Sequence, residues 1–223
     1  MRHGVVFDID DTLYLERDYV RSGFEAVGAH VEATLELPGF AAAAWRLFED
    51  GVRGQTFDRA LSALGADARS SNISELVALY RSHVPRISLL ADAQEAIDYL
   101  SAEGVPMGVI TDGPEASQRA KASALGLHDS MQHVIFTDEL GQGYGKPDHR
   151  SFEMIAAALG EPERLVYIAD NPGKDFSAPH RSGWTTWRIR RPDGLHVSTE
   201  SGPDVRFETE TIMTPVLHEF LQF

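Results

Sequence analysis

The chain has 223 residues, enough for one large domain or for a core domain that carries a smaller one. Its 34 acidic residues outnumber its 20 lysines and arginines and leave a formal charge of −14, which argues against nucleic acid or an anionic membrane as a partner. Cysteine is absent, which excludes disulfides, thiolate metal sites and cysteine nucleophiles and fits a cytoplasmic location. We expect no membrane span and no signal peptide, because the apolar runs are short and the first predicted strand starts almost at once.

Apolar runs of strand length recur along the chain and alternate with segments of helical periodicity. The predicted strands are residues 5–7, 106–110, 134–136, 165–169, 184–189 and 204–207. The helical spacing between them is clearest in residues 92–103, 115–125 and 151–159. Strands that are apolar throughout and alternate with helices indicate a parallel sheet that is covered on both faces. The sequence therefore predicts an α/β fold with a Rossmann-like, doubly wound parallel sheet as its core.

Residues 15–83 interrupt this alternation, because they carry helical patterns but no convincing strand. We expect a small α-helical domain inserted after the first strand, with residues 1–14 and 84–223 forming the core. The alternative is a set of extra helices that pack directly on the core. A closing helix is expected at residues 214–221.

The first predicted strand runs into the sequence DIDDT, which contains Asp8 and Asp10. Residues two apart in an extended segment point to the same side, so both carboxylates project at the strand's carboxyl end, where open α/β sheets bind ligands. Carboxylates this close repel each other unless a cation or a shared proton is present. The pair suits a nucleophilic carboxylate beside a carboxyl group that shuttles protons, whereas the structural alternative is a turn or capping cluster.

Two further motifs offer groups that bind phosphate. ITDG ends the second predicted strand and supplies the Thr111 hydroxyl and the backbone N–H groups of Asp112 and Gly113 at the start of a helix. The alternative for Thr111 is simple helix capping. GKPD places Lys146 just before another helix, in a chain that has only three lysines.

The segment ADNPGKD follows a later strand and carries Asp170 and Asp175. Carboxylate oxygens of this kind suit Mg²⁺. The histidines show no spacing typical of a zinc site. Three arginines, Arg188, Arg190 and Arg191, end the strand that follows, and we expect them to be solvated.

In this order, DIDDT, ITDG, GKPD and ADNPGKD resemble the four motifs of the haloacid dehalogenase superfamily, and the resemblance covers nearly the whole chain. The helical insertion after the first motif is similar to the mobile C1-type cap of the subfamily that contains phosphoglycolate phosphatase and N-acylneuraminate-9-phosphatase. One small departure is Ala169, where many members of the superfamily have glycine.

The resemblance implies specific roles for the motif residues. Asp8 is the nucleophile that takes the phosphoryl group, and Asp10 is the general acid and base. Thr111 and Lys146, with the backbone at Asp112 and Gly113, bind the transferring group. Magnesium is held by residues of the first and last motifs: Asp8, Asp10 (through its backbone carbonyl), Asp170 and Asp175.

These roles predict a Mg²⁺-dependent phosphatase that hydrolyses a small phosphomonoester (a sugar phosphate, phosphoglycolate or a nucleotide) through a phosphoaspartyl intermediate. A phosphomutase uses the same motifs and remains an alternative. A dehalogenase would leave Asp10, Asp170 and Asp175 without a purpose, and a non-catalytic binding protein should have lost a motif residue. The expected partner is a small phosphorylated metabolite, and the expected state is a monomer or homodimer.

Overall fold

The computed structural model describes residues 2–66 and 72–212, together with 217, 220 and 221. The chain divides into two compact units, Met1–Arg17 with Ile87–Phe223 and, separately, Asp18–Arg86. The smaller unit, residues 18–86, is shifted by three residues toward the C-terminus from the predicted insertion at 15–83. Most of the closing helix predicted at 214–221 lies outside the described residues.

The larger unit is built on a parallel sheet of six strands in the order β3-β2-β1-β4-β5-β6. The strands are β1 (His3–Phe7), β2 (Met107–Thr111), β3 (His133–Phe136), β4 (Arg164–Ala169), β5 (Thr185–Ile189) and β6 (Phe207–Thr209). Nearly all residues of β1, β2, β4 and β5 are buried, which explains why β1, β2 and β4 are largely apolar. The predicted α/β fold with a Rossmann-like parallel sheet is therefore confirmed.

Helices account for most of the remaining described structure. In chain order they are α1 (Glu16–Leu35), α2 (Phe40–Glu49), α3 (Thr56–Ala63), α4 (Ile73–Ser82), α5 (Ala91–Ala102), α6 (Glu115–Ala124), α7 (Leu127–Ser130), α8 (Arg150–Ala158) and α9 (Ser177–Arg181). A short 3-10 helix, Thr137–Leu140, follows β3. Among the helices that the structure describes, none has both the length and the apolar character that a membrane crossing requires.

One face of the sheet packs against α8. Val6, Ile110 and Tyr167 on three adjacent strands form a buried cluster with Phe152 and Ile155 of that helix. The Phe152 and Tyr167 rings meet edge to face, with centroids 5.0 Å apart. This packing holds β2, β1 and β4 side by side.

The central strand β1 pairs with β2 on one side and with β4 on the other. The sheet order reverses here, because the chain leaves β3 at one edge and returns to place β4 beside β1. Open α/β sheets bind ligands at such a reversal, beyond the carboxyl ends of the strands. In this chain the residues at those three strand ends are Asp8, Thr111 and Asp170.

The smaller unit has a hydrophobic core of its own. An aromatic cluster joins its helices, with Phe24 of α1 at 6.0 Å from Phe57 of α3 and 5.9 Å from Tyr80 of α4, centroid to centroid. Ser22 of α1 lies 3.2 Å from the Nε2 atom of His83, just after α4. No strand occurs among the residues that the structure describes in this unit, as its sequence pattern predicts.

Candidate active site

Asp8 follows β1 directly and contacts both strand β4 and the side chain of Lys146. Its backbone N–H donates to the carbonyl of Ile168 in β4 at 2.9 Å. Its carboxylate Oδ1 lies 2.9 Å from the ammonium Nζ of Lys146, and both side chains are buried. The same Nζ lies 2.7 Å from Asp175 Oδ1 and donates to the Tyr167 hydroxyl at 2.9 Å. One buried lysine therefore joins the first, third and fourth motifs.

Three carboxylates converge beside this lysine. Oxygen atoms of Asp8, Asp170 and Asp175 all lie within 4.8 Å of one another, and all three residues are buried. Asp175 Oδ2 also accepts a hydrogen bond of 2.9 Å from the backbone N–H of Asn171, which fixes its orientation. The structure thus brings together the three carboxylate side chains that the sequence assigns to the metal.

The electrostatics of this cluster favour a cation. Burial raises the pKa of Asp8 to about 6, with the Asp175 charge adding to the effect and the Lys146 ammonium opposing it. Burial and the charges of Asp175 and Asp8 raise the pKa of Asp170 well above its ordinary value. A set of buried, mutually repelling carboxylate oxygens is the donor set that hard divalent cations prefer, so the residues present fit a divalent metal ion.

The Asp10 carboxylate lies outside that cluster and is held by a different set of donors. The Tyr14 hydroxyl donates to Oδ1, and the Lys121 ammonium donates to Oδ1 at 2.7 Å and to Oδ2 at 2.9 Å. The Gln118 amide donates to Oδ2 at 3.1 Å. Burial opposes the charge on Asp10, but the Lys121 ammonium and these hydrogen bonds hold the pKa of the carboxyl below its ordinary value.

Thr111 ends β2 as a fully buried residue. Its hydroxyl donates to Gln118 Oε1 at 3.0 Å. It does not cap α6, because that helix begins at Glu115 after Pro114 and has no side-chain cap. The helix-capping alternative for Thr111 is therefore wrong.

Gly113 and Asp112 shape the turn between β2 and α6. Gly113 has a φ of +130°, and a Cβ there would lie 2.8 Å from Gln118 Nε2, so only glycine fits. The Asp112 carboxylate accepts from the Thr137 hydroxyl at 2.7 Å and from the Lys146 backbone N–H at 3.1 Å, and it lies 3.2 Å from Lys174 Nζ. The Asp112 side chain thus joins neighbouring loops, and its predicted phosphate contact would come from the backbone N–H.

The expectation that the three arginines at the end of β5 and just after it are solvated is wrong for two of them. Arg188 is 0% exposed and Arg191 is 4% exposed. Arg188 Nε donates to the Asp170 carbonyl at 3.0 Å, and Arg191 donates to the Thr12 carbonyl at 2.6 Å and to Asp92 at 2.7 Å. Buried loop carbonyls need donors, and these guanidinium groups supply them to the loops of the first and last motifs.

Asp11 supports the first loop as a turn residue. Its Oδ1 accepts from the backbone N–H of Glu16 at 2.8 Å, and its Oδ2 accepts from that of Leu195 at 2.7 Å. The latter contact ties the segment after β5 to the loop that carries Asp8 and Asp10. Asn171 in the last motif contacts the same segment, with its Nδ2 at 2.9 Å from His196 Nε2.

Comparisons with known proteins identify the family of this chain. The family model of haloacid dehalogenase-like hydrolases matches residues 3–183. A glyceraldehyde 3-phosphate phosphatase from Methanopyrus kandleri is 30% identical over 216 residues, which cover 92% of this chain and 91% of that protein. A phosphoglycolate phosphatase from Rhodospirillum rubrum is 28% identical over 77% of this chain and 73% of its own length.

A solved structure shows the same fold. The crystal structure of a HAD phosphatase from Thermococcus onnurineus superposes with a TM-score of 0.61 at 22% identity and covers 99% of this chain and 98% of that one. The family resemblance drawn from the four motifs is thus confirmed by the family model and the relatives, and this chain belongs to the haloacid dehalogenase-like hydrolases.

Proposed function

We propose that the protein hydrolyses a small phosphomonoester at the carboxyl edge of its sheet, with Asp8 as the nucleophile. The observation that carries the proposal is the contact of 2.9 Å between Asp8 and Lys146 beside the carboxylates of Asp170 and Asp175. The relatives named as phosphatases support the reaction class. The protein is a phosphoric monoester hydrolase.

In the first half of the reaction, an Asp8 carboxylate oxygen attacks phosphorus and the bond from phosphorus to the leaving oxygen breaks. Asp10 in its protonated form gives a proton to that oxygen, so the product leaves as an alcohol, and the lowered pKa of Asp10 makes this form a ready proton donor. Lys146 stabilises the charge that develops on the phosphoryl group. The Thr111 hydroxyl and the backbone at Asp112 and Gly113 orient the group.

In the second half, Asp10 takes a proton from water while the water oxygen attacks the phosphoaspartyl group. The bond from phosphorus to the Asp8 oxygen breaks, which restores the carboxylate and releases inorganic phosphate. Asp10 is then protonated again and ready for the next substrate. Over the full cycle, Asp10 loses and regains one proton, and Asp8 gains and loses the phosphoryl group.

The carboxylates of Asp8, Asp170 and Asp175, with the backbone carbonyl of Asp10, would hold Mg²⁺. The ion supplies positive charge that lets an ionised Asp8 approach a dianionic phosphate. The net charge of −14 adds to the need for it, because such a protein repels phosphate. Without a divalent cation we expect weak binding of substrate.

The substrate class is a small phosphomonoester, as the names of both relatives suggest for those proteins. We assign the smaller unit, Asp18–Arg86, the role of the cap that chooses the leaving group. A cytoplasmic location and a monomeric or homodimeric state remain predictions from the sequence.

The experiment is a panel of phosphorylated small metabolites, assayed for free phosphate with Mg²⁺ and with a chelator. We expect release from some members, only when Mg²⁺ is present. Migration of phosphate within a sugar phosphate faster than its release would instead indicate a phosphomutase, and halide release from a haloacid would indicate a dehalogenase. No turnover on any of these substrates would contradict the proposed function and indicate a binding protein.

A further inference from the structure

The Asp10 carboxylate is enclosed by three side chains, all of which lie outside the four sequence motifs. Tyr14 and Lys121 donate to Oδ1, whereas Lys121 and Gln118 donate to Oδ2. Both oxygens of the carboxylate therefore have partners that fix its orientation. A group that transfers protons gains from such a fixed position, because small displacements slow the transfer.

Gln118 and Lys121 are three residues apart on α6, so they share one face of the helix. Both are buried, with Gln118 3% and Lys121 3% exposed. A buried ammonium is costly unless it is paired, so Lys121 is not a solubilising surface charge. Its position is set by the helix that starts directly after the second motif.

The lysines of this chain share a pattern. Only three lysines occur among its 223 residues, and each pairs with an aspartate of a motif: Lys146 with Asp8, Lys121 with Asp10 and Lys174 with Asp112. Surface positions use arginine instead. The placement of Lys121 therefore belongs to the site rather than to the general charge of the surface.

Gln118 also links Asp10 to the second motif. Its Oε1 accepts from the Thr111 hydroxyl at 3.0 Å, while its Nε2 donates to Asp10 Oδ2 at 3.1 Å and to the Asp112 carbonyl at 3.0 Å. One amide thus spans the residue assigned to proton transfer and a residue assigned to phosphate binding. The Gly113 backbone leaves space for this amide.

We infer that Lys121 and Gln118 are positioning residues for proton transfer by Asp10. They orient the carboxylate toward the leaving oxygen and act through Asp10 rather than on the phosphoryl group. This inference rests on the proposed phosphatase function, and it adds two residues that the four motifs do not contain.

The inference predicts a dependence on the leaving group. An alkyl phosphate needs a proton on its leaving oxygen, whereas 4-nitrophenyl phosphate releases a stable anion without one. Loss of the positioning residues should therefore slow the alkyl substrate selectively. A merely structural defect would slow both substrates by the same factor.

The experiment compares kcat/KM for glycerol phosphate and 4-nitrophenyl phosphate, with Mg²⁺ present, in the wild type and in Lys121→Met. We expect Lys121→Met to lose about 100-fold on the alkyl substrate and less than about 10-fold on the aryl one. The matched control is Arg119→Met, which removes a cation from the same helix. Arg119 is about half exposed and pairs with Glu115 at 2.7 Å, so this variant should match the wild type.

A second variant keeps the test decisive if Lys121→Met does not fold. Gln118→Leu retains Lys121 and removes the amide link, and we expect it to lose about 10-fold on the alkyl substrate alone. Equal losses on both substrates in the folded variants would overturn the inference and leave the proposed function intact. A wild type that hydrolyses neither substrate, nor any member of the metabolite panel, would instead overturn the proposed function.

Discussion

The ammonium group of Lys146 lies 2.7 Å from Asp175 Oδ1, and both side chains are fully buried. The same ammonium lies 2.9 Å from Asp8 Oδ1. Burial alone would lower the pKa of Lys146, but the charges of Asp175 and Asp8 raise it well above the ordinary value. Lys146 is therefore a fixed positive charge that holds the nucleophile and a metal-site carboxylate together.

Removal of that charge should affect both stability and rate. Lys146→Met leaves Asp8 and Asp175 as buried carboxylates without their partner, and breaking such a pair costs about 3–5 kcal/mol. We expect the free energy of unfolding without metal to fall by about that amount, measured with urea. We also expect phosphate release to fall by about 100-fold or more.

The outcome that contradicts this prediction is an unchanged urea midpoint for Lys146→Met. The control is Arg119→Met, where the lost cation is exposed and its ion pairs contribute at most about 1 kcal/mol. A similar small change in both variants would show that Lys146 is not essential to the charge balance of the cluster.

Metal binding should stabilise the folded protein. A ligand at 100 times its Kd adds about 2.7 kcal/mol to the free energy of unfolding if it binds only the folded state. We expect Mg²⁺ to raise the Tm of the wild type and to have a much smaller effect on Asp175→Asn, which loses a carboxylate of the cluster.

Asp98→Asn is the matched control for the metal prediction, because Asp98 is an exposed aspartate on α5 in the same unit. Its Tm should respond to Mg²⁺ as that of the wild type does. Equal shifts in Asp175→Asn and Asp98→Asn would place the bound ion elsewhere than at Asp8, Asp170 and Asp175. Differential scanning calorimetry gives the comparison directly.

Arg188, the buried arginine of β5, provides a separate test of how the last motif is held in place. Arg188 donates to the carbonyls of Asp170 at 3.0 Å, Thr199 at 2.8 Å and His196 at 2.7 Å. Arg188→Met leaves the buried Asp170 carbonyl without its donor, at about 1–3 kcal/mol for an unsatisfied group, and it also removes the donor of the more accessible Thr199 and His196 carbonyls. We expect a clear loss of stability and weaker binding of Mg²⁺, because the Asp170 backbone loses its anchor.

Arg190→Met is the control for Arg188→Met, because Arg190 is two residues further along and its side chain is 30% exposed. Its ion pair with Glu208 should contribute at most about 1 kcal/mol. Equal unfolding free energies for the two variants would contradict the supporting role of Arg188. Urea unfolding and calorimetric titration with Mg²⁺ measure both effects.

Packing beneath the site gives a prediction that does not depend on the chemistry. A Cβ at Gly108 would lie 2.8 Å from Ile155 Cδ1, so β2 and α8 approach too closely for a side chain. Gly108→Ala should destabilise the fold by about 1–3 kcal/mol through overpacking. Gly202→Ala has no atom within 4 Å of the added Cβ, and it should change stability by less than about 0.5 kcal/mol.

The sequence was sufficient to predict the groups at the strand ends. Thr111 ends one strand of a parallel sheet, and Asp8 and Asp170 directly follow two others. The carboxyl ends of such strands meet at one edge. The short apolar runs also predicted the strands to within a few residues, and the runs are clearest in β2 and β4, which are buried on both faces.

The side chains that hold these groups in place could not be predicted, because their contacts join positions that are far apart in the sequence. Arg191 and its acceptor Thr12 are 179 residues apart, and Lys121 and Asp10 are 111 apart. A lysine or arginine in such a place has the same local pattern as a solvated one. The single local signal for Gln118 and Lys121 was their shared helical face directly after the second motif.

The central claim is that Asp8 accepts the phosphoryl group, and substitution of Asp8 by its uncharged isostere tests it most directly. Phosphate release with saturating Mg²⁺ should be measured for the wild type, Asp8→Asn and the control Asp98→Asn, each shown to be folded by circular dichroism. The account predicts release by the wild type and Asp98→Asn and none by Asp8→Asn. Release by folded Asp8→Asn at the wild-type rate would contradict it.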